Sequence, residues 1–186
     1  MLIRKKNANL VLLVVITMFL FQCQKVEIKS PNLTQAVAVL QPTEGNNIKG
    51  YVFFHENANE PTTINVKLWG LKPGLHGFHI HTFGDLRDPA GKSAGGHFNP
   101  YEKPHSAPWN KERHVGDLGN IRAHANGTVD TSWTDSIIRL SGNSSILGRA
   151  VVVHAGQDDL VSQPTGNAGA RVAVGVIGRA NPDWKP

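Results

Sequence analysis

Gly77-Phe78-His79-Ile80-His81 opens a stretch that runs through His97, His105 and His114 to Asp117, with His154 following downstream. In a strand, residues i and i+2 share a face, so His79 and His81 point the same way from an apolar run and can reach one ion together. Six histidines and a carboxylate between positions 79 and 154 form a metal-ligand inventory. Imidazole suits zinc and copper, and a mixed nitrogen and oxygen set suits tetrahedral zinc. The 15 residues between His81 and His97 are rich in Gly, Asp, Pro and Ser, the composition of a loop that folds back over the strand. His97, His105, His114 and Asp117 are then four ligands delivered by one loop. A lone histidine is as often an ordinary surface or core residue; a cluster this dense reads as a site.

Outward from that stretch, short segments of strand character recur at regular intervals: 36–40, 50–55, 63–71, 77–83, 120–124, 128–133, 148–155 and 170–177. Glycines punctuate them, and Asn126-Gly127 is a hairpin-turn signal. Val129, Thr131 and Trp133 alternate with Asp130, Ser132 and Thr134, the pattern of a half-buried strand. No segment carries a sustained helical period. Eight short strands with loop-rich gaps at 84–118 and 135–147 predict an all-β sandwich or barrel. His55, His124 and the four tryptophans receive no site role; Trp109, in the metal loop, is expected to pack.

The N-terminus reads separately. Arg4, Lys5 and Lys6 precede a 12-residue apolar run, Leu10 to Phe21, interrupted only by Thr17. That is too short to span a bilayer and the right size for a signal-peptide core. Residues 1–22 are therefore expected to be a signal peptide. Cys23, the only cysteine, follows at once and looks like the lipidation site of a bacterial lipoprotein, although bulky Phe21 and Gln22 stand where small residues are usual. The expected product is exported to the bacterial envelope or periplasm and held at the membrane through Cys23; the alternative is a secreted chain. Residues 24–35 read as a tether, 36–180 as the domain and 181–186 as a frayed tail. In a bacterial lipoprotein the sequons at Asn32, Asn126 and Asn143 are chance matches.

The net charge of +5 includes the three basic residues of the leader; without them 16 basic residues face 14 acidic, leaving +2. The remaining basic residues are dispersed and lack aromatic interleaving, which excludes a nucleic-acid binder. A single cysteine also excludes an intrachain disulfide, so an exported domain must rely on its core and on metal.

Gly74-Leu75-His76-Gly77-Phe78-His79-Ile80-His81, Ser93 to Pro100, Arg113 to Asn120, Gly148 to Asp159 and Gly166 to Arg171 together resemble the copper/zinc superoxide dismutases over residues 36–180. The resemblance implies an eight-stranded Greek-key, immunoglobulin-like sandwich or barrel with two long functional loops. It implies copper on His79, His81, His97 and His154. It implies zinc on His97, His105, His114 and Asp117, with His97 bridging as a catalytic imidazolate. Asp158 matches the carboxylate joining a copper-ligand histidine to a zinc-ligand histidine, His76 a buried histidine bracing nearby backbone, and Arg171 the guanidinium that docks the superoxide anion. The implied activity is dismutation of superoxide to dioxygen and hydrogen peroxide. The rival readings are a non-enzymatic copper- or zinc-binding envelope lipoprotein and an adhesion module. The first is weakened by the completeness of the ligand set, and the second leaves that set unexplained.

Three departures from the family stand out. Gly91 and Val174 occupy the places of its two cysteines. The channel loop after Asp159 is short, with Pro164 where a steering lysine is expected. Arg179 replaces an apolar residue at the eukaryotic-type dimer contact, which leaves a monomer or a different dimer as the expectation.

Overall fold

Alternation of apolar and polar residues builds the sheet. In β1 (Gln35–Pro42), Ala36, Ala38 and Leu40 are buried while Val37 and Val39 face outward. In β2 (Lys49–His55) Val52 and Phe54 point inward, and in β3 (Thr62–Trp69) Thr62, Ile64, Val66 and Leu68 do. The branched residues at these positions suit a pleated, one-side-covered surface. The other strands are β4 (Gly74–His81), β5 (Asp117–Ala123), β6 (Val129–Asp135), β7 (Ala150–His154) and β8 (Arg171–Arg179). One short 3₁₀ turn, Lys92–Ala94, lies in the loop after β4. The computed structural model describes residues 33–58 and 60–184; the signal peptide, Cys23 and tether residues 24–32 lie outside the described residues.

All pairings between these strands are antiparallel, in the order β5-β4-β7-β8-β1-β2-β3-β6. The crossovers from β3 to β4 and from β5 to β6 make a Greek key, and the sheet curls into a nearly closed barrel with β5 and β6 at its seam. The Asn126-Gly127 turn forms locally, with the His124 N–H donating to Thr128 O at 2.9 Å. Its two strands then diverge: β5 stays with β4 and β6 joins β3. Thr131, expected on a half-buried face, lies opposite Val66 yet is exposed, because β6 ends the sheet and only β3 covers it. Asn181 to Trp184 ends in a turn, with the Asp183 N–H donating to Asn181 Oδ1 at 3.0 Å.

The main core fills the barrel and includes Phe54, Ile64, Leu68, Phe78, Ile80 and Ile121. Trp133 packs edge-on against Phe78, ring centroids 5.8 Å apart. A second, smaller apolar cluster of Ala94, Ala150, Val152 and Val174 lies on the other side of β7 and β8. That cluster explains why β7 is buried on both faces, barrel core on one and loop on the other, while the outer face of β4 carries buried His79 and His81. The site is built in the loop-covered face.

Candidate metal centre

β4 sets the site's floor. Phe78 and Ile80 point into the barrel, so His79 and His81 point out beneath the loop that follows. That loop returns alongside β4: the Phe98 N–H donates to Ile80 O at 2.8 Å, the Ile80 N–H to Gly116 O at 2.9 Å and the Gly116 N–H to Phe98 O at 2.9 Å. A Cβ on Gly116 would stand 2.1 Å from Ile80 O, so only glycine permits the approach. The return places His97 opposite His81 and brings His114 and Asp117 under the same cover. β7 delivers His154 from the adjacent strand.

Two groups of ligand atoms result. His79, His81, His97 and His154 present atoms within 4.8 Å of one another, and so do His97, His105, His114 and Asp117. His97 belongs to both. All seven side chains are buried. His55, with Nε2 at 2.8 Å from Asn57 Oδ1, and exposed His124 belong to neither.

In the first group, one nitrogen of each ring is taken by protein. His79 Nε2 donates to Asp158 Oδ2 at 2.7 Å, His81 Nδ1 to Gly95 O at 2.7 Å, His154 Nδ1 to Gly169 O at 3.0 Å and His97 Nδ1 to Asp117 Oδ1 at 2.7 Å. The remaining nitrogens face one another. His81 Nε2 and His154 Nε2 are 3.4 Å apart, and His79 Nδ1 and His97 Nε2 are buried with no hydrogen-bond partner. A buried polar atom left unpaired costs about 1–3 kcal/mol. Burial pushes His79 down to about 3 and His154 to about 4, and it lowers His81 and His97 as well. At neutral pH these rings are neutral, with lone pairs turned inward: the form that binds a metal cation.

The second group is arranged around one carboxylate. Nδ1 of His97, His105 and His114 lies 2.7, 2.9 and 3.1 Å from Asp117 Oδ1. Asp117 Oδ2 accepts the N–H groups of Ser106 and His114 at 3.1 and 3.0 Å. Burial alone would raise Asp117, but the bonds from His105, His114 and His97 hold its carboxyl far below the usual range. Three nitrogens and one anionic oxygen facing a common point fit a tetrahedral divalent cation.

Asp158 joins the two groups. It is fully buried; Oδ2 takes the His79 bond, and Oδ1 lies 3.0 Å from His105 Nε2 while accepting the Leu160 N–H at 2.7 Å. Burial alone would lower His105, yet Asp117 and Asp158 on its two sides raise it to about 9. Gly166 lets the chain pass this carboxylate, since a Cβ there would stand 1.8 Å from Asp158 Oδ1. His76 spans two carbonyls at 2.8 Å each, from Nδ1 to His154 O and from Nε2 to Lys72 O. Half-buried Arg171 donates Nη1 to Gly91 O and Nη2 to Gly95 O, the carbonyl that also receives His81.

Residues 48–177 match the family described as copper/zinc superoxide dismutase. A superoxide dismutase [Cu-Zn] 2 of Mesembryanthemum crystallinum is 51% identical over 150 residues, which cover 77% of this chain and 94% of that protein. The chain belongs to the copper/zinc superoxide dismutase family. It is accordingly an oxidoreductase whose cofactors are copper and zinc, and the two donor groups sharing His97 suit a family that takes two different metals.

Three residues that support the site received no role of their own from the sequence. Arg113, buried, donates Nη1 to the carbonyls of His114, Val115 and Asp117 at 3.0, 3.2 and 3.0 Å and pairs Nη2 with Asp135 of β6. Asn120 closes both main-chain groups of Asp158, accepting its N–H at 2.8 Å and donating to its C=O at 2.9 Å. Gln163 does the same for His105. Trp109, expected to pack, is 75% exposed and lines a groove with Leu75, Leu118, Trp133 and Leu160. Gly91 and Val174 lie together: a Cβ on Gly91 would stand 2.9 Å from Val174 Cγ1.

Proposed function

We propose that His79, His81, His97 and His154 hold copper, that His97, His105, His114 and Asp117 hold zinc, and that His97 is shared by both. The observation that supports this best is the pair of buried, unpartnered nitrogens, His79 Nδ1 and His97 Nε2, turned toward the other free ring nitrogens. When bound, copper supplies a one-electron couple that oxidises one superoxide to dioxygen and reduces a second, which leaves with two protons as hydrogen peroxide. The protein does the rest. Arg171, always charged, docks the anion; its two carbonyl contacts fix the guanidinium, which stands near enough to His81 and His154 to depress both. His97 Nε2 has no protein partner, so it is the atom that takes a proton and returns it toward the reduced oxygen. Asp158 and the carbonyls of Gly95 and Gly169 fix which nitrogen of each ring faces inward.

We further propose that the chain is exported and held at a bacterial envelope through lipidated Cys23, on the basic, apolar and cysteine pattern of residues 1–23. It acts there as a monomer or as a dimer unlike the eukaryotic type. Exposed Arg179 at the end of β8 argues against the eukaryotic-type contact and leaves both alternatives, since burying an unpaired charge in an interface is costly.

Purified protein loaded with both metals tests the site: one copper and one zinc per chain with fast superoxide loss is expected. His97→Ala is expected to lower the content of both metals. Tight binding of two metals without turnover would overturn the catalytic assignment. For the anchor, Cys23→Ala is expected to move the protein from the membrane to the soluble envelope fraction, and an unchanged distribution rules the lipid out.

A further inference from the structure

His105 sits in a run, residues 99–116, that contributes no helix or strand, so its main chain has no ladder to hold it. Its main-chain bonds come instead from one side chain 58 residues away. The His105 N–H donates to Gln163 Oε1 at 2.8 Å, and Gln163 Nε2 donates to His105 O at 2.8 Å. The other Nε2 hydrogen goes to Val161 O at 3.2 Å, so the loop that carries the amide also orients it. That loop is closed on itself. Asp159 Oδ1 accepts the N–H groups of Val161 and Ser162 at 3.0 and 2.8 Å, and the Gly166 N–H donates to Ser162 O at 2.7 Å. The ring of His105 is meanwhile gripped between Asp117 and Asp158, at 2.9 and 3.0 Å.

The two restraints do different things. The carboxylates orient the ring; the amide fixes where along the loop the ring's backbone stands. Asn120 closes the main chain of Asp158 in the same way from β5. Both partners of the His105–Asp158 contact are thus held by planar amides, one on a strand and one on the short channel loop.

We propose that Gln163 is a positioning residue for the zinc half of the site, through which zinc and the channel loop order each other. Gln163 does not reach the donor atoms; it acts through His105, and the inference rests on reading His105 as a zinc ligand. Coupling of this kind is reciprocal: if the docked loop favours zinc, zinc favours the docked loop by the same factor. The short loop carries its own latch to the site, a side-chain amide closed on the His105 main chain and separate from the Asp158 carboxylate.

The test uses the copper-free full-length protein with Gln163→Ala, Gln163→Glu, the loop control Val161→Ala, and His105→Ala. Zinc affinity is read by competition with a chromophoric chelator, and backbone hydrogen exchange over residues 159–165 with and without zinc. For Gln163→Ala the expected result is about tenfold weaker zinc, the low end for residues that orient ligands. The zinc-induced protection of 159–165 is expected to be largely lost. Gln163→Glu keeps an acceptor but loses the donor and should fall between; Val161→Ala should match the parent. Melting of Gln163→Ala should fall further below the parent with zinc bound than without it. Parental zinc affinity and protection in Gln163→Ala overturn the proposal, as does an equal drop in melting temperature with and without zinc, which marks a merely structural residue. Parental zinc binding in His105→Ala instead overturns the ligand assignment beneath it.

Discussion

Asp158 serves both halves of the site with one carboxylate, accepting from His79 at Oδ2 and from His105 and the Leu160 N–H at Oδ1. An amide has one accepting oxygen, so Asp158→Asn keeps the shape but must turn an N–H toward one of the two rings. The expected outcome is a loss of about 10–100-fold in affinity for at least one metal, read by chelator competition, with the fold retained by circular dichroism; parental affinities for both metals would show that the link is dispensable. The buried histidines also set a pH dependence for the metal-stripped protein. His79 and His154 are lowered to about 3 and 4, so between there and 6.5 the unfolded chain binds more protons and stability falls as pH falls. His105 is raised to about 9; its contribution is complete below 6.5 and is lost as pH rises through 9. Melting temperature of the stripped protein is therefore expected to peak near pH 6.5, and bound metal, by holding the ring nitrogens unprotonated in the folded state, should remove the loss above neutral pH and leave stability falling only toward acid. A plateau across pH 5–9 in the stripped protein would contradict this.

At the scale of elements, the strands were legible and the supports of the site were not. All eight strands fall on the segments marked by β-branched and alternating residues, because burial of one face imposes a period of two. The Asn126-Gly127 turn was legible as a turn but not as a place where strands part, since only the pairing of β6 with β3 decides that. Position and resemblance singled out the residues of both donor groups. Arg113, Asn120 and Gln163 escaped because each acts on the main chain of another residue, and an amide or guanidinium aimed at a carbonyl leaves no periodic trace. Gly91 and Val174 were legible as absences, and their closeness allows a direct experiment. A Cβ on Gly91 would lie 2.9 Å from Val174 Cγ1, close enough for a disulfide to join the metal loop to β8. Gly91 has φ 75°, where a side chain costs about 1–2 kcal/mol, against about 2–4 kcal/mol from the cross-link. The reduced Gly91→Cys/Val174→Cys protein is expected to lie about 1–2 kcal/mol below the parent and its oxidised form to gain about 2–4 kcal/mol over the reduced form by denaturant unfolding, with a larger shift in the stripped than in the loaded protein. Equal shifts would mean that metal does not already hold this loop.

Over the whole molecule, the relation between charge and rate follows from the short channel loop. Between Asp158 and Arg171 the chain carries one acidic residue, Asp159, and no lysine or arginine, while the protein without its leader carries only a slight positive excess. Charges placed around a cleft raise the on-rate of a small anion, and salt removes that gain. With Arg171 held against two carbonyls as the docking group, and nothing cationic on the loop beside it, attraction acts late and at short range. The rate of superoxide loss is thus expected to depend only weakly on ionic strength between 10 and 200 mM salt. Val161, 71% exposed on that loop, is the place to reverse the situation. One added charge about 10 Å from the approaching anion changes its local concentration about twofold in water. Val161→Lys should raise the rate by about that factor at low salt and return it to the parental value at 200 mM, and Val161→Glu should do the opposite. A steep salt dependence in the parent protein would place steering charges elsewhere on the barrel surface and leave the loop's shortening without an electrostatic consequence.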